Sequence, residues 1–280
     1  MNLAAEASGV VSTSRIAALF SRLRHDGRKA LVPFITAGDP SGESTVAVMH
    51  ALVSAGADLI ELGVPFSDPM ADGPVIQRSS ERALLRGIGT AQVFEFVHQF
   101  RQRDAVTPVV LMGYLNPIEI RGPDAYATAA RAAGVDGLLL VDLPPEEAAP
   151  IRASLNAQGL DLISLAAPTT SPERLQRLAD TAQGYLYYVS FAGVTGASIN
   201  DAGDVAAKAT ALRAMSKVPL LIGFGIKNAV SAAAMAAHAD GIVVGSALVE
   251  HLASANSAQD AASRAQAFLA PLRAAIDATT

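Results

Sequence analysis

Eight short, continuously apolar runs begin near positions 31, 58, 108, 137, 161, 185, 219 and 241, each followed by a stretch with helical apolar spacing. Runs without polar alternation are what parallel strands show when helices cover both faces of their sheet. Eight such βα units close into a barrel of about 250 residues, and this chain has 280. The expectation is therefore an α/β chain of one domain, a (β/α)8 TIM barrel over residues 1–280. An open doubly wound sheet would carry a glycine-rich fingerprint after its first strand, and Thr36-Ala-Gly-Asp-Pro40 does not have that form. Ahead of strand one, Ile16, Leu19, Phe20 and Leu23 recur at helical spacing within about 12–26. A helix there would cap the barrel bottom. The wide step after strand two leaves room for an extra helix, with 76–86 and 91–103 both helical in pattern. Another helix is expected over 144–158, opening on Pro144.

Composition narrows the function. Apolar residues make up 51% of the chain, enough for a large core, and the net charge of −5 lacks the basic clusters of a nucleic-acid surface. With no cysteine, disulfides, thiol nucleophiles and zinc-thiolate sites are excluded, which fits a cytoplasmic location. Met1 to Val10 has no Lys or Arg and does not read as a secretory signal. The longest weakly polar stretch, Ala229 to Val249, is broken by His238, Asp240 and Gly241, so no membrane span is expected. His25, His50, His98, His238 and His251 do not pair at ligand spacing, so no metal site is expected either.

Barrel chemistry sits at the C-terminal ends of the strands. Strand two is expected to end at Glu61, and eleven positions on comes Asp72, in a loop stiffened by Pro65, Pro69 and Pro74. Two acids on a stiff loop suit a positioned acid/base pair; an ordinary strand-to-helix connection would also carry Asp, Gly and Pro. Phe34, Tyr114, Tyr187 and Phe224 would supply aromatic walls. Gly223 and Gly225 follow strand seven, and Gly245 and Ser246 follow strand eight. Glycines there let backbone N–H groups approach a phosphate, and a short helix from Ser246 would point its positive end at the anion. Gly193 and Gly196 would extend that rim; simple turn glycines remain the other reading. A substrate with a phosphate at one end and a flat apolar body at the other would fit.

The run Glu61-Leu-Gly-Val-Pro-Phe-Ser-Asp-Pro69, then Ala71-Asp-Gly-Pro74 and Gln77, resembles the signature of the tryptophan synthase alpha chain family. Val32-Pro-Phe34, Asp142-Leu-Pro144, Ala192-Gly-Val-Thr-Gly196 and Gly223-Phe-Gly225 extend the likeness from Leu31 to Val249. The resemblance implies a lyase that cleaves indole-3-glycerol phosphate to indole and glyceraldehyde 3-phosphate in tryptophan biosynthesis. It implies that Glu61 shuttles the proton between indole C3 and the side-chain hydroxyl, and that Asp72 faces N1. A raised Glu61 pKa of about 6–7, supplied by burial, would suit that dual role. The family further implies a lid over about 192–200, in which Thr195 meets Asp72. Many members carry Arg where this chain has Phe191, so one cation that supports closure is missing here. No cofactor is expected in this chain. A beta-chain partner carrying pyridoxal phosphate is implied, in an α2β2 heterotetramer with allosteric coupling, and Asp68, Pro69 and Pro144 are the contacts expected on the top-face loops.

Three other readings stay open at this level. Lys227, the one lysine of four that follows a strand end, could serve a Schiff-base aldolase. A phosphosugar isomerase could use the same barrel. A non-catalytic activating subunit is the third, against which both acids argue.

Overall fold

The computed structural model describes residues 14–189, 202–223 and 225–279. In chain order the elements are α1 (Arg15–His25), β1 (Ala30–Thr36), α2 (Gly42–Ser54), β2 (Ile60–Gly63), α3 (Pro74–Leu85) and α4 (Thr90–Arg101). Then come β3 (Val109–Gly113), α5 (Asn116–Arg121), α6 (Pro123–Ala133), β4 (Gly137–Leu140), α7 (Ala148–Ala157), β5 (Asp161–Ala166) and α8 (Pro172–Thr181). The chain closes with β6 (Leu186–Val189), α9 (Ala202–Met215), β7 (Leu220–Gly223), α10 (Ala229–Ala236), β8 (Gly241–Val244), α11 (Ser246–Leu252) and α12 (Ala258–Asp277). The eight strands are all parallel and close on themselves in sequence order, the expected (β/α)8 barrel.

The strand pairing sets the height of every inward side chain. Followed from Phe34 to Glu61, Val110, Gly137 and Asp161 and on around the sheet, the register returns to β1 eight residues below its start. That shear is the value at which eight strands stack their inward side chains in layers of four from alternate strands. Leu59, Gly137, Tyr185 and Gly241 form the lowest layer, and Val32, Val110, Ile163 and Leu221 the next. Glu61, Leu139, Tyr187 and Val243 lie above these, and Phe34, Met112, Leu165 and Gly223 line the mouth. Glu61 is thus the one acid in a layer otherwise closed by Leu, Tyr and Val.

The bottom is sealed by α1. Ser14 caps the helix, accepting from Ala17 N, and Ile16, Leu19, Phe20 and Leu23 pack against Val32, Leu59, Val110 and Tyr185. A second bottom feature repeats four times. Asp58, Asp136, Gln183 and Asp240, each just ahead of an even strand, accept the backbone N–H of Leu31, Val109, Leu162 and Leu220 at the start of the preceding odd strand. The three acids also hold cations: Arg273 on Asp58, Arg15 and Arg101 on Asp136, Arg213 on Asp240. An N–H at a strand start has no ladder partner on that side, so these side chains finish the sheet's hydrogen bonding.

Helix ends shift by one to three residues from the sequence expectation, and three differences bear on the site face. Strand two runs on to Gly63, so Glu61 is its second residue and not its end. Helix α7 begins at Ala148, because Pro144 sits in a turn closed by Glu147 N on Pro144 O. Helix α5, six residues opening with Pro117 in its first turn, is too short to show apolar periodicity.

Candidate active site

Glu61 is fully buried inside the barrel. Its Oε1 accepts from the Tyr185 hydroxyl at 2.6 Å, while Oε2 has no partner among the described residues. Burial, which disfavours the charged form, raises its pKa to about 7; the Tyr185 bond pulls the other way. The carboxyl is therefore poised between its two forms near neutral pH, with one oxygen free. A buried polar atom without a partner is rare enough in a native core to point to a missing ligand or water.

Tyr185 escaped the sequence reading, which took it as the first residue of a strand and so remote from the mouth. Its ring stands in the lowest layer beside Phe20, with centroids 6.1 Å apart, and its hydroxyl reaches Glu61 across the layer between. The available signal was the spacing Tyr185-Leu-Tyr187, which puts both phenols on the inward face. Tyr187, in Glu61's own layer, is also buried, and its ionisation is suppressed by burial and by the Glu61 charge.

Asp72 lies in the loop after β2. Its Oδ2 accepts from the Tyr114 hydroxyl at 3.0 Å, and the same hydroxyl accepts from Ala71 N at 3.1 Å. The Tyr114 ring stacks on Phe66 at 4.8 Å, so Tyr114 holds the acid loop by ring and hydroxyl together. Burial raises the Asp72 pKa, with the Tyr114 bond opposing. Helix α3 fixes the far end of this loop. Gln77 donates to Asp72 O and Pro69 O, Ser79 pairs with Thr36 at 2.6 Å, and Arg82 makes a two-pronged bond to Asp39.

The glycines divide into two kinds. Gly225 has φ +55°, a conformation that favours glycine, and a Cβ there would meet nothing within 4 Å among the described residues. Gly223 is occupied from within, because a Cβ would collide with the Tyr187 hydroxyl and ring. Gly245 precedes α11, and a Cβ there would meet Phe34 at ordinary contact distance. Ser246 opens α11, and the first N–H groups of a helix have no partner within the helix itself. Phe34 pairs in register with Glu61, and its ring lies against Gly63. Thr195, Gly196, Phe191, Phe224 and the expected lid lie outside the described residues. Asp68, Pro69 and Pro144 are all on loops that follow β2 and β4, as expected.

A closed parallel barrel with an ionisable carboxyl held in its interior, below a mouth lined by glycine and aromatic residues, defines the (β/α)8-barrel enzyme class. The family model described as "Tryptophan synthase alpha chain" matches residues 20–277. The chain belongs to the tryptophan synthase alpha chain family. A tryptophan synthase alpha chain from Xanthomonas axonopodis pv. citri (strain 306) is 66% identical over 264 residues, covering 94% of this chain and 98% of that protein. One from Xanthomonas euvesicatoria pv. vesicatoria (strain 85-10) is 67% identical with the same coverage. Among solved structures, tryptophan synthase subunit alpha from Legionella pneumophila str. Paris superposes with a TM-score of 0.89 at 47% identity, covering 95% of this chain and 99% of that one.

Proposed function

We propose that Glu61 and Asp72 carry the family's lyase reaction, cleavage of indole-3-glycerol phosphate to indole and glyceraldehyde 3-phosphate. The observation that carries this reading is the Glu61 carboxyl, buried, with a pKa of about 7 and one oxygen without a partner among the described residues. The reaction needs one group that both gives and takes a proton near neutral pH. Glu61 protonates indole C3, which breaks ring aromaticity and loads positive charge toward N1. The hydroxyl on the adjoining carbon then loses its proton to Glu61 as the C–C bond opens. The bond's electron pair returns to the indole ring, and the former hydroxyl becomes the aldehyde of glyceraldehyde 3-phosphate. Asp72, held by Tyr114, faces N1, where its charge stabilises the cation and can take the N1 proton. Phe34 and Tyr187 flank the flat ring. The phosphate rests on Gly196, Gly223, Gly225, Gly245 and Ser246, with Thr195 closing on Asp72.

Lys227 is exposed and lacks the burial that activates a Schiff-base lysine, which weighs against the aldolase reading. Membership of an alpha-chain family implies a beta-chain partner. We place its contact on the loops of Asp68, Pro69 and Pro144, in an α2β2 assembly whose beta chain carries pyridoxal phosphate. A groove of about 490 Å³ beside Pro69, lined by Phe66, Gln77, Leu84 and Leu85, supports that placement, as does the 86% exposure of Met70. No helix among the described residues is long and apolar enough to cross a membrane, and a cytoplasmic location is part of the same reading. The test is to incubate the purified chain with indole-3-glycerol phosphate, with and without a beta chain, and to measure indole. No indole in either arm overturns the proposal.

A further inference from the structure

We infer that Gly63 sets the width of the aromatic slot above Glu61 by giving Phe34 a seat, and is therefore a specificity-determining residue; this rests on the lyase reading. Gly63 lies on β2 two residues beyond Glu61, so by strand alternation a side chain there would project into the barrel mouth. Its backbone does not ask for glycine, since its φ is outside the left-handed range in which glycine is favoured. Glycine inside a strand weakens it, and such positions often mark a close approach by another group. Here the group is identified. A Cβ on Gly63 would sit 2.6 Å from Phe34 Cζ and 2.9 Å from Cε2, while the nearest backbone atom, Ile35 O, is 3.4 Å away.

An added methyl therefore displaces the ring and leaves the strand in place. At the other end of the side chain the fit is looser, since a Cβ built on Gly245 would meet Phe34 Cβ and Cδ1 only at 3.5 Å. Phe34 is buried as well, and it pairs in register with Glu61. A ring displaced toward the barrel axis would lie over the layer that holds Glu61, where the proposed function puts the flat body of the substrate. So Gly63 keeps Phe34 in its seat and that space clear for a flat ring, and the space can be narrowed without touching either acid.

The test compares Gly63→Ala, Phe34→Leu and the double variant, reading indole release from indole-3-glycerol phosphate together with a crystal structure of Gly63→Ala. The single Gly63→Ala change is expected to cost about a hundredfold in kcat/KM, as misplacement by roughly an ångström does, with most of the loss in KM. The double variant should regain at least about tenfold over Gly63→Ala, because the shorter side chain frees the methyl's space. In the crystal structure the Phe34 ring should lie about 1 Å or more toward the barrel axis. Unchanged kcat/KM in Gly63→Ala, or a loss that Phe34→Leu does not relieve, overturns the inference. If the unsubstituted chain releases no indole, the lyase reading fails instead. The ring position then still decides the seat, and an unmoved Phe34 sinks it.

Discussion

The two ends of the barrel use acids in opposite ways. At the bottom, Asp58, Asp136 and Asp240 each accept a backbone N–H and pair with at least one arginine. At the top and in the interior, Glu61 and Asp72 are held by phenols, Tyr185 and Tyr114, with no cation partner among the described residues. Burial pushes Asp58 up too, but the Leu31 N–H and Arg273 pull it back. Nothing comparable opposes burial at Glu61, and its pKa reaches about 7. A phenol fixes a carboxyl in place without locking it in the charged form. At Asp58 the arginine favours the charged form that burial disfavours.

This contrast can be broken at either end. The largest effect is expected from Glu61→Gln, which should lower turnover by about 10²–10⁴-fold or more, as loss of a positioned acid/base does. Substrate affinity should change little, and substantial residual indole release would refute the role. At the bottom, Asp136→Ala strands the buried Arg101 and the Val109 N–H. It should cost about 3–5 kcal/mol, the usual consequence of removing one partner of a buried ion pair. Urea midpoints measure this, and activity per folded molecule should hold.

The pH dependence of stability sharpens the comparison further. The folded-state pKa of Glu61 is raised to about 7 from an unfolded value near 4.5. Between those values the folded chain holds a proton that the unfolded chain has lost, so this group's contribution is full below about pH 4.5 and fades as pH rises through 7. Glu61→Gln should therefore be more stable than its parent by up to about 3 kcal/mol at pH 9 and no different at pH 4. Denaturation at the two pH values checks the sign; equal offsets at both would show that Glu61 does not titrate as described. The smallest effect belongs to Tyr185→Phe. Loss of a hydrogen bond to a charged group should lower turnover by up to about tenfold at neutral pH. The Glu61 limb of the pH–rate profile should move to higher pH, a shift that a merely structural change would not produce.

Much of this was legible in the order of residues. Strand count and connectivity follow from eight apolar runs with helices between them, because burial on both faces leaves no room for alternation. The acids Glu61 and Asp72, the start of α11 at Ser246 and the helix ahead of strand one were visible as local patterns. The depth of Glu61 was not, since the shear of a barrel is a property of the closed sheet and of no single strand.

What the chain's sequence determined alone is thus the set of βα units and the chemical groups delivered to one end, because both depend on local periodicity and on where each strand stops. Tertiary structure decided which groups meet: Tyr185 with Glu61, 124 positions apart, and the Phe34 ring with Gly63. Those meetings arise from register, and register exists only once the eighth strand has closed on the first.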